Sequence, residues 1–128
     1  MRTFHILAYD QILEGTGTTY TDPQLQPTFG SADLLRLFAV AEQVTVTSGT
    51  PTLTVQLEES ADRVMWSNKT GTAEINAVTL STTAVTMARG FDNGSTPNSG
   101  FIRMRLTLGG TNPRARVKLW VTGRTERL

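Results

Sequence analysis

Residues 101–124, FIRMRLTLGGTNPRARVKLWVTGR, alternate apolar and polar side chains twice over. Ile102, Met104, Leu106 and Leu108 share one parity, and Arg103, Arg105 and Thr107 the other. Beyond GGTNPR, Val117, Leu119 and Val121 alternate with Arg116, Lys118, Trp120 and Thr122. A period of two sends successive side chains to opposite faces of a strand, and a helix cannot gather that pattern on one side. The two runs therefore predict two strands, each with one apolar face and one cationic face.

Inward residues must meet inward residues, because a slip of one position exposes the whole apolar set. Read as a hairpin, the register pairs Leu106 with Val117, Met104 with Leu119 and Ile102 with Val121. It also sets Thr107 opposite Arg116, Arg105 beside Lys118, and Arg103 beside Trp120 as a cation–π pair of about 0.5–1 kcal/mol. Two adjacent cations are unfavourable unless an acidic group lies near.

Upstream, TLTVQLEES at 52–60 repeats the alternation, with Leu53, Val55 and Leu57 in and Thr54, Gln56 and Glu58 out. LLRLFAVAEQVTVT at 34–47 is apolar on both parities: Leu35, Leu37, Ala39 and Ala41 against Phe38, Val40 and Val44. That predicts a long, bulged, central strand, and Val44-Thr45-Val46-Thr47 argues against a helix. SGTP at 48–51 turns the chain. Residues 4–9 give a first strand, 72–80 and 83–89 weaker ones, and Ser60-Ala61-Asp62-Arg63 a polar turn leading to Trp66. DNGSTPNSG at 92–100 is a loop by composition.

Residues 10–33 carry three glycines, two prolines and no sustained period. So long a structureless stretch is unusual in a compact domain. It reads either as an extended arm, with Tyr20, Pro23, Leu25, Pro27 and Phe29 as candidate contacts, or as a loop folded over its own body. Seven or eight short strands without a helix make residues 1–128 a single all-β domain. The architecture is a β-sandwich of jelly-roll type with an extended N-terminal arm or long loop.

Composition agrees. Hydrophobic residues are 38% and charged residues 18%, and Thr, Ser and Gly fill the difference, with Thr favoured on pleated surfaces. A net charge of +1 provides no global field to collect nucleic acid. No cysteine is present, which removes disulfides and thiolate metal sites and fits assembly in a reducing compartment. The first ten residues are too short an apolar run for a signal peptide.

Catalytic apparatus is not visible. His5 is the single histidine, it has no cysteine partner, and no GxSxG elbow accompanies it. Glu58 and Glu59 point to opposite faces of one strand and so form no carboxylate dyad. Asp92 and Asn93 are a weak calcium candidate. FDNGSTPNSG has neither a phosphate-loop lysine nor a helix after it. No enzyme activity and no cofactor are expected.

The cationic strand faces have two readings. One is a solvated face whose charges discourage edge pairing. The other is an interface for an acidic protein surface, built from Arg103, Arg105, Arg114, Arg116, Lys118 and Trp120. Arginine predominates over lysine here, which suits planar pairing. Specific nucleic-acid binding is disfavoured, since no recognition helix or aromatic RNP pair accompanies the arginines.

TPTLTVQLEESADRVMWSN at 50–68 runs an alternating strand into Ser-x-Asp-x-x-x-Trp. It resembles the strand–turn–Trp element of galactose-binding-like, discoidin-type domains. Taken with 101–124, about the last 90 residues resemble the decoration or auxiliary head proteins of tailed bacteriophages. That resemblance implies a structural protein of the virion exterior, assembled in the host cytoplasm. Its implied partners are the major capsid protein of a phage head and further copies of itself, as a homotrimer, with no membrane or specific nucleic acid. The alternative is a carbohydrate- or receptor-binding module stacking sugars on Trp66, Trp120, Tyr9 and Tyr20. The chain lacks the polar binding loops of sugar-binding discoidin domains.

Overall fold

The computed structural model describes residues 2–21, 34–69, 71–91 and 101–125. Nine strands, and no helix among the described residues, make up the fold: β1 (Arg2–Glu14), β2 (Gly17–Tyr20), β3 (Leu34–Thr45), β4 (Ser48–Ser60), β5 (Ser67–Asn68), β6 (Ile75–Thr79), β7 (Thr86–Phe91), β8 (Phe101–Thr111) and β9 (Arg114–Thr125). One sheet has the order β1-β9-β3-β7. The other has β2-β8-β4-β5, with β6 also paired to β4. Every pairing is antiparallel. Consecutive strands change sheet at β1/β2, β2/β3, β3/β4, β6/β7, β7/β8 and β8/β9, so the two sheets of the sandwich are interwoven along the chain.

The core lies between the sheets. From the first come Leu37, Ala39, Ala41, Val117, Leu119 and Val121; from the second, Leu53, Val55, Leu57, Ile102, Met104, Leu106 and Leu108, all essentially without exposure. The alternating strands thus bury the faces their sequences assign to them. Small side chains at Ala39, Ala41, Ala88 and Ala115 leave room for the bulkier Leu, Ile and Met of the opposite sheet. β3 is central, between β9 and β7. Its register shifts between Glu42 and Thr45, where Gln43 takes a φ of 54°. This bulge reverses the parity, so that Val44 turns inward and is buried.

The hairpin expected from residues 101–124 does not form. β8 pairs with β4 and β2, whereas β9 pairs with β1 and β3. Their apolar faces meet across the core instead of lying side by side. Residues 112–113 form a crossing between sheets, with φ of 107° at Gly110 near the end of β8 and 48° at Asn112. The 15–16 crossing runs beside it: Gly15 N–H donates to Pro113 O at 2.8 Å, and Thr16 Oγ1 to Gly110 O at 2.8 Å.

Other boundaries also move. β1 continues to Glu14, and β2 occupies residues 17–20, so the first half of the 10–33 segment is sheet and not arm. Residues 22–33 and the 92–100 loop lie outside the described residues. β4 begins at Ser48, so SGTP opens that strand; Gly49 has φ 78° within a register shift between Ser48 and Thr52.

Candidate interaction surfaces

On the outer face of the second sheet, register places Glu58 opposite Arg103, and Gln56 opposite Arg105. Arg103 Nε donates to Glu58 Oε1 at 2.7 Å and Arg105 Nη1 to Glu58 Oε2 at 3.0 Å. One carboxylate, its side chain 6% exposed, therefore satisfies two guanidiniums two residues apart on one strand. Arg103 also lies between two rings, 3.9 Å from the centroid of Tyr20 and 4.1 Å from that of Trp66. Arg63 covers Phe101 at 4.4 Å. These contacts are cation–π stacks, in which the ring quadrupole attracts the guanidinium.

The Ser-x-Asp-x-x-x-Trp pattern proves to be a hydrogen-bonded turn. Ser60 Oγ accepts the N–H groups of Asp62 at 3.2 Å and Arg63 at 2.8 Å. Asp62 Oδ1 accepts those of Val64 at 2.8 Å and Met65 at 2.9 Å. The N–H groups of Met65 and Val64 hold the Asp62 carboxyl below the ordinary aspartate range. The turn brings Trp66 back over Arg103 and leaves Val64 and Met65 exposed at its tip.

Gln56 and Glu58, expected to face solvent, are buried, as is Glu74. Glu74 Oε2 accepts the Leu57 N–H at 2.6 Å, and Gln56 Nε2 donates to Leu57 O at 2.9 Å. Glu58 is the residue that sequence reasoning missed. Its role depends on β4 lying beside β8, which no local pattern reveals.

Arg114, Arg116 and Lys118, the other cations of the expected surface, lie on the outer face of the first sheet. Arg114 pairs with Glu14 at 2.9 Å and Arg116 with Asp10 at 3.2 Å; Arg116 and Lys118 approach Glu42 at 3.7 and 3.9 Å. The expected six-residue surface is thus two surfaces, with Arg103 and Arg105 on one and Arg114, Arg116, Lys118 and Trp120 on the other. Arg105 does not neighbour Lys118, and Trp120 stacks on His5, not Arg103, with ring centroids 4.9 Å apart and planes 7° apart. His5 Nδ1 lies 2.6 Å from Thr122 Oγ1.

Across this face the register aligns Leu7, Trp120, Phe38 and Arg89, and on the next level Asp10, Lys118, Val40 and Met87. Leu7 is 41% and Met87 67% exposed. Leu7, Trp120, Phe38, Val40 and Met87 therefore cross the sheet as an apolar and aromatic band, with Arg89, Asp10 and Lys118 in the same two rows.

Of the candidate arm residues, Tyr20 sits in β2 opposite Arg105; Pro23, Leu25, Pro27 and Phe29 lie outside the described residues. An open groove of about 360 Å³ runs between the edge strands, lined by residues 7–11 with Tyr20 and Thr21. Burial raises the Tyr9 hydroxyl above the ordinary tyrosine range. Among the described residues, no three His, Cys, Asp or Glu side chains are grouped to hold a metal; Asp92 and Asn93 lie outside them.

No protein-family model and no curated protein matches the chain. Solved structures do match. The chain superposes on a polypeptide of the T13 particle of infectious bursal disease virus with a TM-score of 0.58 and 14% identity, covering 94% of this chain and 30% of that one. The shared feature is the antiparallel two-sheet β-sandwich. The D431N VP2 protein of that virus, in derived T=1 particles, matches at TM-score 0.54 and 13% identity over 94% of this chain and 31% of VP2. The Gt strain matches at 0.54 and 14%, with the same coverage. The chain spans about a third of the length of these neighbours, and at such identity the likeness concerns the fold.

Proposed function

We propose that this chain is a structural protein of a virus particle, bound to and stabilising the exterior of a tailed-phage head as a decoration or cement protein. The observation that carries this reading is the capsid-type sandwich formed by 94% of the chain. Its chemistry supports it: the interior is apolar and close-packed, and the polar and aromatic groups are spent on outward faces, where a protein partner would meet them. The phage assignment and the major capsid protein as partner rest on the resemblance of residues 50–68 and 101–124, and the absence of catalysis on the missing catalytic motifs. Self-association belongs to the same reading. The resemblance implies a homotrimer, and sedimentation of the purified chain tests that number of copies.

The test is co-sedimentation of the purified chain with empty phage heads, beside mass spectrometry of purified virions. Binding in a fixed ratio to the major capsid protein is expected. A chain left in the supernatant and missing from virions ends the proposal.

A second reading draws on the groove beside Tyr9 and Tyr20, an aromatic and polar cleft of sugar-sized volume. Of the stacking candidates, Trp66 and Tyr20 each have a face covered by Arg103, and Trp120 one covered by His5. Glycan-array binding lost on Tyr20→Ala would favour this reading over decoration.

A further inference from the structure

We propose that the outer face of β1-β9-β3-β7 is a homotypic docking surface, on which a second copy of the chain packs face to face, turned about an axis that crosses the strands at Ala39. The inference supplies the surface for the self-association in the reading above, and it stands on the geometry of the face.

Size is the first argument. Three strands of 12 or 13 residues and one of six, at about 3.3 Å per residue and about 4.8 Å apart, outline roughly 700 Å². Two such faces bury about 1,400 Å², within the roughly 1,200–2,000 Å² of a specific stable interface. The anatomy is the second argument. Trp120, Phe38 and Val40 lie in the middle with Lys118 beside them, and Asp10 and Arg89 stand on the edge strands, so aromatic and apolar groups dominate the centre as in protein interfaces. Stacking on His5 fixes the Trp120 ring, so little side-chain entropy is lost when a partner covers it.

Charge and register together identify the occupant as a second copy. On β3, Arg36 and Glu42 stand three residues to either side of Ala39, with Phe38 and Val40 between them. Rotation about the Ala39 level lays Arg36 over the copy's Glu42 and Phe38 over the copy's Val40. On β9, Trp120 is level with Phe38 and Lys118 with Val40, so the same rotation lays Trp120 over the copy's Lys118, a cation–π pair. Each contact occurs twice, as an isologous interface requires. Glu42 approaches its own cations only at 3.7 and 3.9 Å, beyond hydrogen-bond range, which leaves its oxygens open to a closer donor. A partner of one charge sign would match only half of the charges on this face.

The experiment is sedimentation velocity of the full chain over a concentration series, with circular dichroism melts as the folding control. A concentration-dependent dimer is expected. Arg36→Glu and Glu42→Arg should each weaken it about tenfold or more while both chains still fold, the melts measuring the local cost of setting an arginine beside Arg116 and Lys118. The double reversal restores the pairing, and dimer formation should recover. A chain that stays monomeric to its solubility limit, or singles that associate like the parent, overturns the proposal. A monomer that still co-sediments with heads overturns it and leaves the decoration role standing. A dimer rescued by the double reversal that never binds heads supports it and removes that role.

Discussion

Glu58 on β4 and Arg103 on β8 face each other at 2.7 Å, and the same carboxylate reaches Arg105 at 3.0 Å. Removing one partner of a buried pair strands the other, at about 3–5 kcal/mol for full burial. Arg103 is 19% and Arg105 34% exposed, so water recovers part of that, and Glu58→Ala should destabilise by roughly 2–3 kcal/mol. Arg105→Ala should cost less, about 1 kcal/mol, because Glu58 keeps Arg103. Urea melts of both variants measure this. Equal, small losses would mean that the clamp is a surface ion pair.

Leu119→Ala should be a folding defect of about 2–5 kcal/mol, from lost burial plus the cavity left between the sheets. Leu119 is fully buried. Lys118→Ala, on the outer face with only a 3.9 Å approach to Glu42, should stay within about 0.5 kcal/mol of the parent. Thermal melts separate the two. A destabilised Lys118→Ala beside an intact Leu119→Ala would reverse the faces of β9.

These pairs show which parts of the fold are local. Inward or outward direction follows from strand parity, which is why Leu53, Met104 and Leu119 could be assigned to the core from their neighbours alone. The lateral neighbour of a strand is set by distant chain. Alternation in β8 and β9 fits a hairpin and a cross-core pair equally well, so the Arg103–Trp120 contact was misplaced and the Glu58 clamp unseen. Where parity breaks, even the strand fades: the register of β1 shifts between Leu7 and Tyr9, Leu7 faces out, and after the bulge Leu13 faces in and is buried. A scan for period two from Phe4 stops there, and residues 10–14 read as irregular.

Gly90→Ala should destabilise more than Gly109→Ala. A Cβ at Gly90 would lie 2.3 Å from the backbone oxygen of Glu74, whose carboxylate holds the Leu57 N–H. Neither backbone can retreat without loosening that bond, so the overpacking penalty of about 1–3 kcal/mol applies in full. At Gly109 the clash is with Thr52 Oγ1 at 2.4 Å, the end of a side chain that can rotate. Paired melts check the order, and Thr52→Ala should rescue Gly109→Ala only.

Acid should release the turn that carries Trp66. The Asp62 carboxyl is held below its ordinary value by the N–H groups of Met65 and Val64, which bind its charged form. A depressed folded-state pKa means that the stabilisation is complete above the unfolded value of about 3.9 and is lost as pH falls through the folded value. The turn should therefore be indifferent to pH from neutrality down to about 4 and loosen below it. Trp66 reports on this directly, because its Nε1 donates to Arg63 O at 3.2 Å within the same turn and its ring lies on Arg103. In a Trp120→Phe background, Trp66 emission should hold steady and then shift in acid while far-ultraviolet circular dichroism stays constant. Asp62→Asn cannot titrate, so its emission should show no acid step. The same step persisting in Asp62→Asn would assign the transition to another group and leave the turn indifferent to the charge on Asp62.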